Sequence, residues 1–343
     1  MRLEIICQGI PDNTDRVNED AFVAYQRDDG QPRYVLAAID GATSVTSFGP
    51  LHQYLAEHRN HITPAALAAS VTRDAILAQL GSADSNEDID PSRLILAAND
   101  RLRRLLDDVA PQIFNADAIA AIQPELSHLL DDPRKIRLFL PAAVITLVSV
   151  DTHAGLVRFA HAGDTALLLC YHDGHVIVPT QDDRTDMNYE SALVLAGRTV
   201  AKQGASMLDA VNDPFIRNLD RDHRIYHNFV DKNGATNPAR GVGVIDGLPQ
   251  LADYIRTGMI TLDGLAAIIV VSDGAIWPAP LHETPRAQQA RYERMWAQIR
   301  QEGLSGYLAA LRAEERADSN RERYPRFKLH DDATAVALWL SDF

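Results

Sequence analysis

Leu36-Ala37-Ala38-Ile39-Asp40-Gly41 is an apolar run that ends abruptly on a carboxylate and a glycine. A run of this kind is how a buried strand delivers an acidic side chain to the mouth of a sheet. The same figure recurs. Ala266-Ala267-Ile268-Ile269-Val270-Val271-Ser272-Asp273-Gly274 is a second apolar run closing on Asp-Gly, and Leu156-Val157-Arg158-Phe159-Ala160-His161-Ala162-Gly163-Asp164 brings a third aspartate to a strand edge. Asp331-Asp332-Ala333-Thr334 precedes the strand-like Ala335-Val336-Ala337-Leu338-Trp339-Leu340, and Asn18-Glu19-Asp20 precedes Ala21-Phe22-Val23-Ala24-Tyr25. Any one of these aspartates alone is ordinary turn chemistry. Strands lying side by side would bring all five clusters, every one a set of hard oxygen donors, into one cleft.

Length and composition bound the rest. A chain of 343 residues with 46% hydrophobic content is long enough for a sizeable globular core, and no apolar stretch approaches the roughly 20 residues that a membrane span needs. The amino terminus, Met1-Arg2-Leu3-Glu4-Ile5-Ile6-Cys7, lacks the pattern of a secretory signal, so a cytoplasmic location is expected. Cys7 and Cys170 fall in strand-like surroundings and read as core residues, not as a disulfide framework or a thiolate metal site. With 33 Lys and Arg against 47 Asp and Glu, the net charge is −14. Such a surface opposes nonspecific binding to nucleic acid and anionic membrane, so no nucleic-acid or membrane partner is expected.

Along the chain, residues 2–8, 34–39, 142–150, 156–160, 165–171 and 175–179 have the pattern of strands, the last four reading as an antiparallel meander whose second link carries Gly163-Asp164. Helical spacing covers 49–59, 64–80 and 91–109, with a further helix expected within 112–140, short helices near 189–200 and 207–219, and two more at 282–302 and 305–316. Arg101, Arg103 and Arg104 read as a solvated helical face because Asp107 and Asp108 follow directly. The stretch from Asp220 to Pro238 reads as a long surface excursion. Both chain ends carry acidic clusters, so a site built from them needs the ends together, which points to one domain over 1–343.

Taken in order, Arg16…Asn18-Glu19-Asp20, Asp40-Gly41, Gly163-Asp164, Ser272-Asp273-Gly274 and Asp331-Asp332-Ala333-Thr334 resemble the motifs of the metal-dependent protein serine/threonine phosphatases, the type 2C family, over roughly residues 9–340. The resemblance implies an α+β fold, a four-layer α/β/β/α sandwich of two antiparallel sheets flanked by helices. It implies a two-metal site in which Asp40 bridges the ions, the Gly41 carbonyl is a further ligand, Glu19 binds one ion, and Asp273 and Asp331 bind the other. Arg16 would hold the substrate phosphate and Asp20 would orient the attacking water. Asp164 could join Asp273 around a third ion. The excursion at about 202–240 falls where relatives place a flap beside the cleft, and is expected to set substrate choice. A phosphoprotein substrate in a kinase-linked signalling system is implied as the partner.

The chemistry makes these residue types necessary whatever the family. Phosphate monoesters resist hydrolysis because water must attack an anion. Two cations roughly 3.5–4 Å apart can offset that charge and activate the water. Oxygen ligands without a cysteine or histidine cluster select Mg²⁺ or Mn²⁺ over Zn²⁺.

The chain departs from the family pattern at three points. Arg16 lies three residues before Glu19, where many relatives place the arginine four before, so Arg33 or Arg184 could take its part. Ala42 follows Asp40-Gly41 where some relatives carry a histidine, and Trp277 stands where relatives with a third ion often carry an aspartate. Asp332 stands where relatives often have asparagine, and His161, His282 and His330 read as packing or surface residues. Two function classes therefore remain: a metal-dependent phosphoprotein phosphatase, and a regulatory or binding protein that keeps the fold with weak or no turnover. A small-molecule phosphatase is a third.

Overall fold

The structure is a computed structural model that describes residues 1–11, 16–27, 33–42, 47–82, 88–180 and 188–340. Strands β1 (Arg2–Gln8), β2 (Ala21–Arg27) and β3 (Arg33–Ala42) lead into helices α1 (Gly49–His58), α2 (Pro64–Ser82), α3 (Pro91–Val109) and α4 (Ala116–Ile122). Strands β4 (Ala142–Asp151), β5 (Leu156–Ala162), β6 (Ala166–Tyr171) and β7 (Val176–Ile177) precede α5 (Asn188–Gln203), α6 (Met207–Val211) and α7 (Pro214–Asp222). The chain closes with β8 (Arg256–Thr261), β9 (Leu265–Val271), α8 (Pro285–Ala317) and β10 (Ala333–Trp339).

Helix limits follow local signals. The Asp90 carboxylate caps α3 by accepting the Ser92 N–H, with Pro91 in the first turn, where its missing N–H costs nothing. Helix α8 starts on a Thr284 cap and is broken at Gly303, whose φ of 71° is not helical, so the two helices read from sequence are both present. Between 112 and 140 the expected helix shrinks to α4. Pro111 and Pro124 each open a separate 3-10 turn, and neither is tolerated inside a longer helix.

Among the described residues the strands form two antiparallel sheets, in the orders β1-β10-β9-β6-β7 and β2-β3-β4-β5-β8. Alternation along each strand sorts the apolar residues into three interfaces. Val35, Ala37 and Ile39 of β3, with Ile145 and Leu147 of β4, pack under Leu67, Ile76, Ile95 and Leu102 of α2 and α3. Ala267 and Ile269 of β9, with Ala335 and Ala337 of β10, pack under Trp296, Ile299, Tyr307 and Leu311 of α8. Between the sheets, Leu36, Ala38, Val148 and Phe159 meet Leu167, Ile268, Val270, Val336 and Leu338. Helix, sheet, sheet, helix is the layering that the motifs implied. The first and last strands pair from Arg2↔Trp339 to Gln8↔Ala333.

Three sequence expectations are corrected. The meander is split: β4 and β5 lie in one sheet, β6 and β7 in the other. The chain changes sheet at Gly163, whose φ of +103° few other residues adopt. The strand expected over 34–39 does not stop before Asp40-Gly41, because β3 runs on through both to Ala42, pairing Asp40↔Val144 and Gly41↔Ala143. The stretch after Asp220 is a surface excursion only in part: His227, Asn228 and Phe229 are buried, whereas residues 232–235 and 238–240 are exposed. The Arg137 guanidinium donates to the Asn228 carbonyl at 3.0 Å, and Asn228 Nδ2 donates to Asp246 Oδ1 at 2.8 Å, which locks the segment to the body. Edge strand β8 carried no legible pattern. No helix among the described residues is long and apolar enough to cross a membrane.

Candidate active site

The alternation that builds the space between the sheets also builds the site. On β3, Tyr34, Leu36 and Ala38 face the opposite sheet. Asp40, two residues on, belongs to the same face. By the same count Ser272 follows Ile268 and Val270, Thr334 precedes Val336 and Leu338, and Thr146 precedes Val148 and Val150. Asp20 lies one step beyond the last β2–β3 pair, Ala21↔Ile39, beside Asp40. The inter-sheet layer is thus apolar along its length and polar at one end.

That end is held by buried hydrogen bonds. Ser272 Oγ donates to Asp20 Oδ2 at 2.7 Å and accepts the Thr334 N–H at 2.9 Å. The Asp332 carboxylate accepts the Glu19 N–H at 2.8 Å and the Ile10 N–H at 3.1 Å, fixing the loop that carries Glu19. Asn18 Oδ1 accepts the Asp20 N–H at 2.9 Å. Behind Asp164, the Thr146 hydroxyl lies 3.0 Å from His161 Nδ1 and 2.8 Å from the Thr165 hydroxyl, all three side chains being buried. Two glycines are dictated by close approach. A Cβ on Gly41 would stand 2.5 Å from the Glu19 carbonyl oxygen, and one on Gly274 only 1.9 Å from that of Asp332.

The electrostatics show which carboxylates crowd together. Burial, reinforced by the charges of Asp273, Asp20, Asp164 and Asp331, holds the Asp40 carboxyl well above the usual carboxylate range. Burial likewise raises Asp20, with Asp273 and Asp332 adding to it and the Ser272 hydrogen bond opposing. Asp331 is raised by burial, against the pull of Lys328. The Lys328 ammonium contacts both Asp331 oxygens, at 2.8 and 2.7 Å. Arg16 Nη2 lies 3.2 Å from Glu19 Oε2.

A divalent ion fits this donor set chemically. Five carboxylates from separate segments repel one another around Asp40, and hard oxygen donors suit Mg²⁺ or Mn²⁺. No three His, Cys, Asp or Glu side chains among the described residues form a ready-made cage. Arg16 and Lys328 hold two of the acids, so an ion would have to draw Glu19 and Asp331 away from cations of the chain itself.

The structure therefore brings Asp20, Asp40, Asp164, Asp273 and Asp331 into one electrostatic neighbourhood, with Glu19, Gly41 and Arg16 attached to it through the contacts above. Arg33 is not a substitute for Arg16: it pairs with Asp151 at the other end of β3, seven extended residues or roughly 23 Å from Asp40. Arg184 lies outside the described residues. Asp332 accepts backbone N–H groups, the supporting position expected of it. Cys170 is core, whereas Cys7 is partly buried and its sulfur meets Thr334 Oγ1 at 3.2 Å and Asn18 Nδ2 at 3.4 Å, at the back of the acidic end. Sequence reasoning missed Lys328; the only signal was a lysine three residues before Asp331.

No protein-family model matches the chain, and no curated protein matches it. Solved structures do. The Mycobacterium tuberculosis serine/threonine phosphatase PstP/Ppp matches at 15% identity and a TM-score of 0.48, with 99% of each chain covered. RsbX in complex with magnesium matches at 11% identity and 0.45, covering 99% of this chain and 94% of that one. The catalytic domain of PstP in complex with 2 manganese ions matches at 14% identity and 0.45, covering 98% and 96%. The fold assignment stands on the strand order and the three packed interfaces described above.

Proposed function

We propose that this chain is a divalent-metal-dependent phosphatase that hydrolyses phosphoserine or phosphothreonine in proteins. The observation that carries the reading is the crowding of Asp273, Asp20, Asp164 and Asp331 about the buried Asp40 carboxyl, five acids drawn from both ends and the middle of the chain. Such a concentration of like charge at the end of a sheet is costly and is relieved by a bound cation.

In this reading Glu19, Asp40, Asp273 and Asp331 hold two Mg²⁺ or Mn²⁺ ions, with the Gly41 carbonyl as a further donor and Asp164 as the route to a third. Bound there, the ions supply charge neutralisation and a water of lowered pKa. Arg16, with its fork of N–H donors, receives the phosphate. Asp20, its Oδ2 held by the Ser272 hydroxyl, would orient the attacking water. Ala42 offers no proton to the leaving group. Protein substrates and a kinase-linked setting are proposed from the motif resemblance. The segment after Asp220 supports a part in substrate choice, because Arg224 Nη1 donates to the Ala42 carbonyl at 3.2 Å, next to Asp40-Gly41.

A regulatory protein with weak turnover is the second reading, favoured by the cations already seated on Glu19 and Asp331. Hydrolysis of a generic aryl phosphate decides between them. The phosphatase reading expects stimulation by Mn²⁺ and its loss in Asp40→Asn and Asp273→Asn; a rate indifferent to Mn²⁺ and to both substitutions would leave only the second.

A further inference from the structure

We infer that Lys328 is a built-in cation of the acidic site, occupying Asp331 in place of a divalent ion, so that tight binding at Asp331 requires the lysine to leave. This rests on the metal-dependent reading above.

The geometry is that of a seated ion. The ammonium bonds both oxygens of Asp331, at 2.8 and 2.7 Å, so an ion at either oxygen would have a positive charge as its immediate neighbour. An ordinary surface pair between long side chains is loose and has little consequence. This one is delivered by a pinned segment. Arg326 Nη1 donates to Asp318 Oδ2 at 2.8 Å and Arg326 Nη2 to the Glu315 carbonyl at 3.0 Å, on one side of Lys328. On the other side, His330 Nδ1 lies 2.7 Å from Glu315 Oε2, and Arg312 bonds both Glu315 and the Asp331 carbonyl. The backbone on both sides of Lys328 is therefore anchored to α8.

The lysine side chain itself is 39% exposed, so the ammonium has a path to solvent. An ammonium and a dication on one carboxylate repel each other, which weakens the hold of that carboxylate on the ion. With Lys328 seated, the remaining acids can take an ion around Asp40 and Asp273 while the Asp331 position stays weak. With Lys328 displaced, Asp331 joins the donor set.

The test is calorimetric titration of Mn²⁺ into the full chain and into Lys328→Met, Lys328→Gln and the double variant Lys328→Met/Asp331→Asn, each first checked by thermal unfolding without metal. Both single variants should bind Mn²⁺ roughly tenfold more tightly or gain a second tight ion, and the double variant should lose that gain. Equal affinity and ion number in the full chain and in the folded single variants overturn this inference alone. A gain that survives in the double variant overturns it as well, since the effect then does not pass through Asp331. Absence of Mn²⁺ binding in every protein overturns the metal-dependent reading and this inference with it.

Discussion

Ser272 Oγ donates a 2.7 Å hydrogen bond to Asp20 Oδ2 across 252 residues of sequence. Ser272 follows the last residue of β9 and Asp20 precedes the first of β2, so this bond joins the two sheets at their polar end. The same hydroxyl accepts the Thr334 N–H, and the serine is wholly buried. Ser272→Ala should lower stability by about 1–3 kcal/mol, because the Thr334 N–H and the Asp20 carboxyl both lose a buried partner. Urea unfolding measures it, and an unchanged midpoint would show that the bond carries no weight.

Gly274 and Gly81 make opposite predictions for the same change. A Cβ on Gly274 would lie 1.9 Å from the Asp332 carbonyl oxygen, an atom of the backbone that cannot swing aside, whereas nothing stands within 4 Å of one on Gly81 in α2. Gly274→Ala should cost about 3 kcal/mol or more by displacing the turn that carries Asp273. Gly81→Ala should gain roughly 0.5 kcal/mol from reduced freedom of the unfolded chain. Parallel thermal denaturation compares them; similar melting shifts would contradict the close approach.

Asp246 gives the molecule a pH dependence of definite sign. It is buried, and burial pushes its carboxyl up to about 6, against the opposing charge of Arg137 and its hydrogen bonds to Leu248 and Asn228. The unfolded value lies near 3.9, so between the two the folded state holds more protons than the unfolded one, and stability falls as pH rises through that window. Two pKa units correspond to about 3 kcal/mol. Asp246→Asn keeps an acceptor for the Leu248 N–H and should remove about that much of the decline between pH 4 and 6.5. Unfolding free energies across pH 4–8 check this, and an undiminished slope in the variant would count against it.

Asp40 should show two effects of opposite sign. Without metal, Asp40→Asn relieves repulsion from Asp273, Asp20, Asp164 and Asp331 and should raise the melting temperature by about a degree or more. With Mn²⁺, the parent protein should gain stability by mass action and the variant should gain little. Thermal scans with and without Mn²⁺ separate the two, and a metal-free variant that melts lower than the parent would sink the repulsion account.

Much of the frame was legible because it is set by forces acting within a few residues. Tyr34, Leu36 and Ala38 share one face by chain geometry alone, so an acid at the end of that strand was legible, although only the structure carries β3 on through Asp40. Helical spacing over 91–109, 282–302 and 305–316 marked α3 and both halves of α8 in the same local way, and the Asp90 cap, the Thr284 cap and Gly303 fix their ends. The acidic motifs could be read for the same reason: each sits within a few residues of a strand end.

What the tertiary structure decided depends on which distant segments meet. Nothing near Gly163 says that β6 crosses to the other sheet, since strand pattern does not name a partner. Asn228 and Phe229 look like loop residues until Arg137 and Asp246 arrive around them. Arg33 lost its candidacy only when β3 placed it at the far end from Asp40. Lys328 reads as an ordinary surface lysine until the fold sets it against Asp331 among the other acids. Local periodicity and capping are properties of the chain itself, whereas charge pairing and burial are properties of the space around it, and that space exists only once the two sheets have packed.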